Sequence, residues 1–130
     1  MRAGITISVW ESIPKYVIVV SDRKETKCMC ENVYDMIIVG SGPAGLTAGI
    51  YGKRAGLKVV ILESGFIQGG QIVNTYEVDN YPGMPGISGL ELAEKLKEHV
   101  TRFGVEIAKA NVKGISLDGE WKIVHTKKAD

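Results

Sequence analysis

Three glycines, Gly40, Gly42 and Gly45, stand between an apolar tetrapeptide and a helical pattern, and they constrain this chain more than any other feature. Met36-Ile37-Ile38-Val39 precedes them, a short continuous apolar run of the kind that forms strands buried on both faces. A helix is predicted from about Pro43 to Ala55, with Pro at its first turn and Gly56 at the cap position beyond its end. Lys58 to Glu63 forms a second apolar strand. Strand, helix and strand within thirty residues make one βαβ unit. Right-handed crossovers are nearly universal, so the two strands should be parallel neighbours.

Each glycine of Gly40-x-Gly42-x-x-Gly45 has a physical task in this setting. The first allows a tight turn out of the strand, the second lets a pyrophosphate approach bare backbone, and the third lets helix and strand pack closely. The helix N-terminus then offers unpaired N–H groups and a partial positive charge to phosphate. Glu63 closes the second strand eighteen residues after Gly45, where a carboxylate can accept hydrogen bonds from both ribose hydroxyls and repel a 2′-phosphate. The pattern is the dinucleotide-binding fingerprint in its proper context. Against it stands a glycine-rich turn that binds nothing. Gly49 and Gly52, unfavourable inside a helix, are expected to allow close contact with the sheet or a neighbouring element.

Beyond Glu63, residues 64–88 show no period but hold five glycines and two prolines, a length typical of functional or disordered loops. Ser88-Gly89-Leu90-Glu91 matches a capping box, and Leu92, Leu96, Val100 and Phe103 follow at helical spacing up to Gly104. Strands are predicted near 35–39, 58–63 and 105–108, and helices near 43–55 and 89–103. Residues 112–117 and 121–125 around Asp118-Gly119 should form a hairpin. The fold class read from this order is α/β: a three-layer, Rossmann-like FAD/NAD(P)-binding domain, incomplete, with parallel strands and a C-terminal β-hairpin.

Residues 1–33 form a separate N-terminal extension. Ile5, Ile7 and Val9 alternate with polar residues, and Tyr16 to Val20 is β-rich, so a hairpin or an added sheet edge is expected. Upstream sequence ahead of an alternative start at Met29 is the competing reading. Cys28 and Cys30 are too few for a disulfide scaffold and wrongly spaced for a Cys-x-x-Cys redox pair, so inert cysteines are expected. His99 and His125 show no zinc-like spacing with them, and no metal site is expected. His99 falls beside the apolar stripe of its predicted helix and reads as a boundary residue of that stripe. Sixteen basic against fifteen acidic residues leave +1, which does not suggest nucleic-acid binding. No apolar run reaches the roughly 20 residues of a membrane span, and the start has no signal-peptide layout, so a cytoplasmic protein is expected.

The stretch Tyr34-Asp35-Met36-Ile37-Ile38-Val39-Gly40-Ser41-Gly42-Pro43-Ala44-Gly45-Leu46-Thr47-Ala48 resembles the start of bacterial and archaeal thioredoxin reductases of the low-molecular-weight type. Gly69-Gly70-Gln71 resembles their flavin-contacting turn, and Glu77-Val78-Asp79-Asn80-Tyr81-Pro82-Gly83 resembles a second segment of the same family. The resemblance runs over residues 34–125, and residues 34–130 are read as the N-terminal part of an FAD-binding domain. It implies FAD as cofactor. By that resemblance Gly40, Ser41, Gly42, Pro43, Ala44 and Gly45 hold the pyrophosphate, and Glu63 with Ser64 meets the adenosine ribose. Gly70 and Gln71 lie along the ribityl and flavin portion, Asn80 bonds near the flavin ring, and Val112 touches adenine. Asn80 is otherwise a turn residue before Tyr81-Pro82.

The family also carries an NADPH domain with its own glycine loop and a Cys-x-x-Cys pair, neither of which occurs in these 130 residues. No catalytic residue is therefore assigned. Two functions remain open. One is the FAD-binding portion of a thioredoxin-reductase-like disulfide oxidoreductase, inactive alone and completed by the NADPH/redox domain or a second polypeptide, with thioredoxin a partner only of the assembled enzyme. The other is a non-catalytic nucleotide-binding module or subunit.

Overall fold

The computed structural model describes residues 16–20, 32–65 and 68–127. Its strands are β1 (Tyr16–Val20), β2 (Asn32–Tyr34), β3 (Met36–Val39), β4 (Val59–Glu63), β5 (Glu106–Lys109), β6 (Asn111–Asp118) and β7 (Trp121–Lys127). Its α-helices are α1 (Pro43–Arg54) and α2 (Gly89–Arg102). Among the described residues, β3, β4 and β5 form a parallel sheet in that order, and β2, β1, β7 and β6 form a second sheet.

β4 shows why the domain has three layers. Val59, Val60, Ile61 and Leu62 are all buried, and successive side chains of a strand point to opposite faces. Val59 and Ile61 pack with Leu46 and Ile50 of α1 and with Leu92, Leu96 and Val100 of α2. Val60 and Leu62 pack with Tyr34 and Val124 from the second sheet. One face of the parallel sheet is thus covered by helices and the other by strands. Leu46, Ile61 and Leu92 lose all solvent exposure, each worth about 1.5–3 kcal/mol of transfer free energy.

The helices begin and end as their residue types require. Pro43 opens α1 at a position that needs no N–H donor. Gly56, at φ +80°, follows its C-cap. Its N–H bonds the Lys53 carbonyl, and the Leu57 N–H bonds that of Gly52, a Schellman closure. Ser88 caps α2, its Oγ accepting from the Glu91 N–H at 3.2 Å. Gly49 and Gly52 have the contact role expected of them. A Cβ on Gly49 would stand 2.9 Å from Ile61 Cδ1, and one on Gly52 2.9 Å from Met36 Sδ and Val59 Cγ2.

Several expectations shift in the folded chain. β3 is half-buried rather than buried on both faces, and Val39 is 56% exposed, because β3 is an edge strand among the described residues. The third parallel strand starts one residue late, at Glu106. The long loop contains a short 3-10 helix, Gly70–Asn74, and an isolated bridge between Val78 and Ile87. β1 forms as expected and extends a sheet, antiparallel to β2 and parallel to β7. Ile5 to Val9, Cys28 and Cys30 lie outside the described residues. His99 is exposed and packs its ring on Phe103 at 5.2 Å. His125 Nε2 lies 2.7 Å from Ser116 Oγ. Among the described residues, no group of three His, Cys, Asp or Glu side chains could hold a metal. No helix there is long and apolar enough to cross a membrane.

Candidate functional site

The site forms where β3 and β4 end side by side. Parallel pairing of Met36–Val39 with Val59–Leu62 delivers the loop after β3 and the end of β4 to the same edge of the sheet. The Gly40 N–H donates to the Leu62 carbonyl at 2.8 Å and holds the loop there. A Cβ on Gly45 would overlap the Gly40 carbonyl oxygen, so only glycine lets α1 start this close to the strand. A Cβ on Gly42 would meet nothing within 4 Å, so the loop backbone is open on that side. Gly42 is also the N-cap of α1, and no side chain caps the helix or places a negative charge in its first turn. The first-turn N–H groups and the dipole are left to an anion.

Ser41 is fully buried and does not face outward. Its N–H and its hydroxyl both donate to Glu63 Oε2, at 2.8 and 2.6 Å. Its Oγ in turn accepts from the Gly69 N–H at 3.2 Å. The Gly65 N–H donates to Glu63 Oε1 at 2.7 Å. Burial pushes the Glu63 carboxyl up, but the bonds from Ser41, Gly65 and Ser64 outweigh it and hold the pKa below the ordinary glutamate value. Glu63 is therefore an anion at neutral pH, half-buried at the end of β4. Ser64, beside it, is exposed.

The Gly69-Gly70 turn closes on the same loop. A Cβ on Gly70 would stand 3.3 Å from Gly42 Cα, and Gly69 and Gly70 both have positive φ. Gln71 is exposed on the 3-10 helix that follows. An open groove of about 570 Å³ runs along α1, lined by Pro43, Ala44, Thr47, Ala48, Tyr81 and Pro82. Asn80 is exposed next to this lining. Val112 is half-buried on β6 and packs on the cluster of Tyr34, Val60, Leu62 and Val124. The neighbouring Ala110 N–H bonds the Glu63 carbonyl at 2.9 Å, which brings the start of β6 to the end of β4.

The structure thus gathers Gly40 to Gly45, Glu63 and Gly70 around one loop, with Pro43 and Ala44 also facing the groove. Thr47, Ala48, Tyr81 and Pro82 were not read as site residues. Thr47 and Ala48 sit four residues after Pro43 and Ala44, and i,i+4 spacing on one helix face was the signal that could have found them. Beside the Gly69-Gly70 turn, the buried Oε1 of Gln68 has no hydrogen-bond partner among the described residues.

The family model described as pyridine nucleotide-disulphide oxidoreductase matches residues 34–130. A thioredoxin reductase of Bacillus subtilis (strain 168) is 47% identical over 94 residues, which cover 72% of this chain and 29% of that protein. The thioredoxin reductase of Peptoclostridium acidaminophilum is 45% identical over 101 residues, 77% of this chain and 32% of the relative. The crystal structure of Lactococcus lactis thioredoxin reductase superposes with a TM-score of 0.68 at 46% identity, covering 72% of this chain and 30% of that one. The chain thus matches only 29% and 32% of the length of these two relatives. From Tyr34 onward, with its fingerprint loop, acidic β4 terminus and double-glycine turn brought together, the chain belongs to the pyridine nucleotide-disulphide oxidoreductase family, on its thioredoxin reductase side.

Proposed function

We propose that this chain supplies the FAD-binding portion of a thioredoxin-reductase-like flavoprotein and holds chiefly the ADP half of the cofactor. FAD is the cofactor that the family membership implies. The observation that carries the reading is the convergence of the Gly40–Gly45 loop, Glu63 and the Gly69-Gly70 turn on the buried Ser41. The residues present fit the group. Bare backbone at Gly42 and the uncapped start of α1 suit a pyrophosphate. The ionised Glu63 suits a ribose hydroxyl and opposes a 2′-phosphate. The groove lined by Pro43, Ala44, Thr47, Tyr81 and Pro82 suits a flat apolar ring.

When bound, the flavin supplies hydride and electron transfer. The chain's own residues bind and orient. Ser41 fixes the carboxylate of Glu63 toward the loop, and Gly70 keeps the second turn within van der Waals reach of Gly42. Asn80, Gln71 and Val112 are assigned to the flavin ring, the ribityl chain and adenine by resemblance. NADPH and thioredoxin belong to the proposal only for an assembled enzyme. The test is calorimetry of the full chain with ADP and with FAD. ADP should bind with 1:1 stoichiometry, and Glu63→Ala should weaken it by the loss of charge-assisted hydrogen bonding, about 1.5–3 kcal/mol. No binding of either ligand at millimolar concentration would overturn the reading.

A further inference from the structure

Ser41 stands between Gly40 and Gly42 in the fingerprint loop, yet its side chain is fully buried. A hydroxyl carries one proton and two acceptor lone pairs, and the two partners here fix how each is used. The Glu63 carboxylate only accepts and lies 2.6 Å away, so the proton goes to it. The Gly69 N–H only donates and meets a lone pair at 3.2 Å. The loop, the end of β4 and the Gly69-Gly70 turn thus meet at one oxygen atom.

The turn needs such a tie. A Cβ on Gly69 would stand 2.5 Å from that of Ala93 on α2, and one on Gly70 3.3 Å from Gly42 Cα, so the turn is pressed between helix and loop. In that position the neighbouring Gln68 keeps its Oε1 buried with no hydrogen-bond partner among the described residues. A buried acceptor left unpaired is costly, and opening the turn toward water would relieve it. The bond from the Gly69 N–H to Ser41 opposes that opening.

We propose that Ser41 is a positioning residue for the cofactor: its buried hydroxyl holds the Gly69-Gly70 turn closed against the fingerprint loop, and so sets how well a ligand that reaches the turn is bound, without touching that ligand. This role rests on the FAD reading above and adds to it a residue that acts from behind the loop. A ligand confined to the loop and the end of β4 does not need the turn closed. For one that does, affinity falls with the fraction of molecules in the closed form.

The test is Ser41→Ala in the full chain, which keeps the backbone N–H bond to Glu63 Oε2 and loses only the hydroxyl. Amide exchange followed by NMR should be about fivefold or more faster at Gly69 in the variant. It should be unchanged at Gly40, whose N–H bonds the Leu62 carbonyl at 2.8 Å. In calorimetry, FAD affinity should fall about fivefold or more and ADP affinity by less than about twofold. Equal exchange at Gly69 in the two proteins would overturn the inference. Faster exchange at both amides would make Ser41 a residue of general stability and overturn it as well, as would an unchanged ratio of FAD to ADP affinity. A wild-type chain that binds neither nucleotide would refute the FAD reading, and Ser41 with it as a cofactor-positioning residue. The exchange at Gly69, measured without ligand, reads separately whether the tie holds the turn.

Discussion

Replacing Gly45 by Ala tests how closely the fingerprint loop is built. In an open helix this change stabilises by about 1 kcal/mol, the propensity difference between the two residues. Here the new methyl would overlap the Gly40 carbonyl oxygen and lie 3.3 Å from both the Gly40 carbonyl carbon and Ile38 Cγ2. Overpacking of this kind costs about 1–3 kcal/mol, and the upper end applies because two of the three neighbours are backbone atoms of the turn. The net expectation is a loss of about 1–2 kcal/mol once the propensity gain is subtracted. For a domain of this size that lowers Tm by about 5–15 °C. α1 must also back away from β3, carrying its first-turn N–H groups with it, so ADP affinity should fall together with Tm. Differential scanning calorimetry and ADP titration read the two effects. Gly114→Ala is the control, since a Cβ there would meet nothing within 4 Å and the residue has no positive φ. A Gly45→Ala protein that melts and binds ADP as the wild type does would refute the close-packing argument.

Ser88→Ala should cost about 1 kcal/mol by releasing the Glu91 N–H at the start of α2, read as a shift in the urea midpoint. Burial, then the hydrogen bond to Glu106 and then the Glu106 charge push the Tyr34 hydroxyl up to about 12. Its folded pKa lies above the unfolded value of about 10, so its contribution to stability is complete below pH 10 and is lost as pH rises through about 12. Urea midpoints should therefore fall more steeply between those pH values in the wild type than in Tyr34→Phe, and equal slopes would refute this. A chain beginning at Met29 lacks β1, which leaves β2 without its partner and opens one edge of β7. It should melt lower and associate through that edge, and an unchanged Tm with unchanged mass in solution would show the segment dispensable.

Much of the molecule is decided locally. The apolar runs Met36–Val39 and Val59–Leu62, Pro43 at the start of α1, Ser88 at the cap of α2 and the glycines after each helix were legible because each acts on its own few residues. The fingerprint loop was legible for the same reason: its glycines answer to bonds and contacts within one βαβ unit.

Other features come only from parts of the chain that meet in space. No pattern within β3 could tell that it lies at the edge of the described sheet with Val39 exposed, because strand order is set by which other strands are present. Nor could the alternation in Tyr16–Val20 name β7, about a hundred residues away, as its parallel neighbour. The same holds at the site. The sequence placed an acid at residue 63 and a serine at residue 41 and gave each to the ligand. The fold turns them toward each other, because two parallel strands that end together bring both side chains to one point. A buried hydroxyl next to a carboxylate bonds to it rather than remain unpaired. The sequence therefore determined that a nucleotide-type loop exists here, and the tertiary structure decided that Ser41 and Glu63 are bonded to each other.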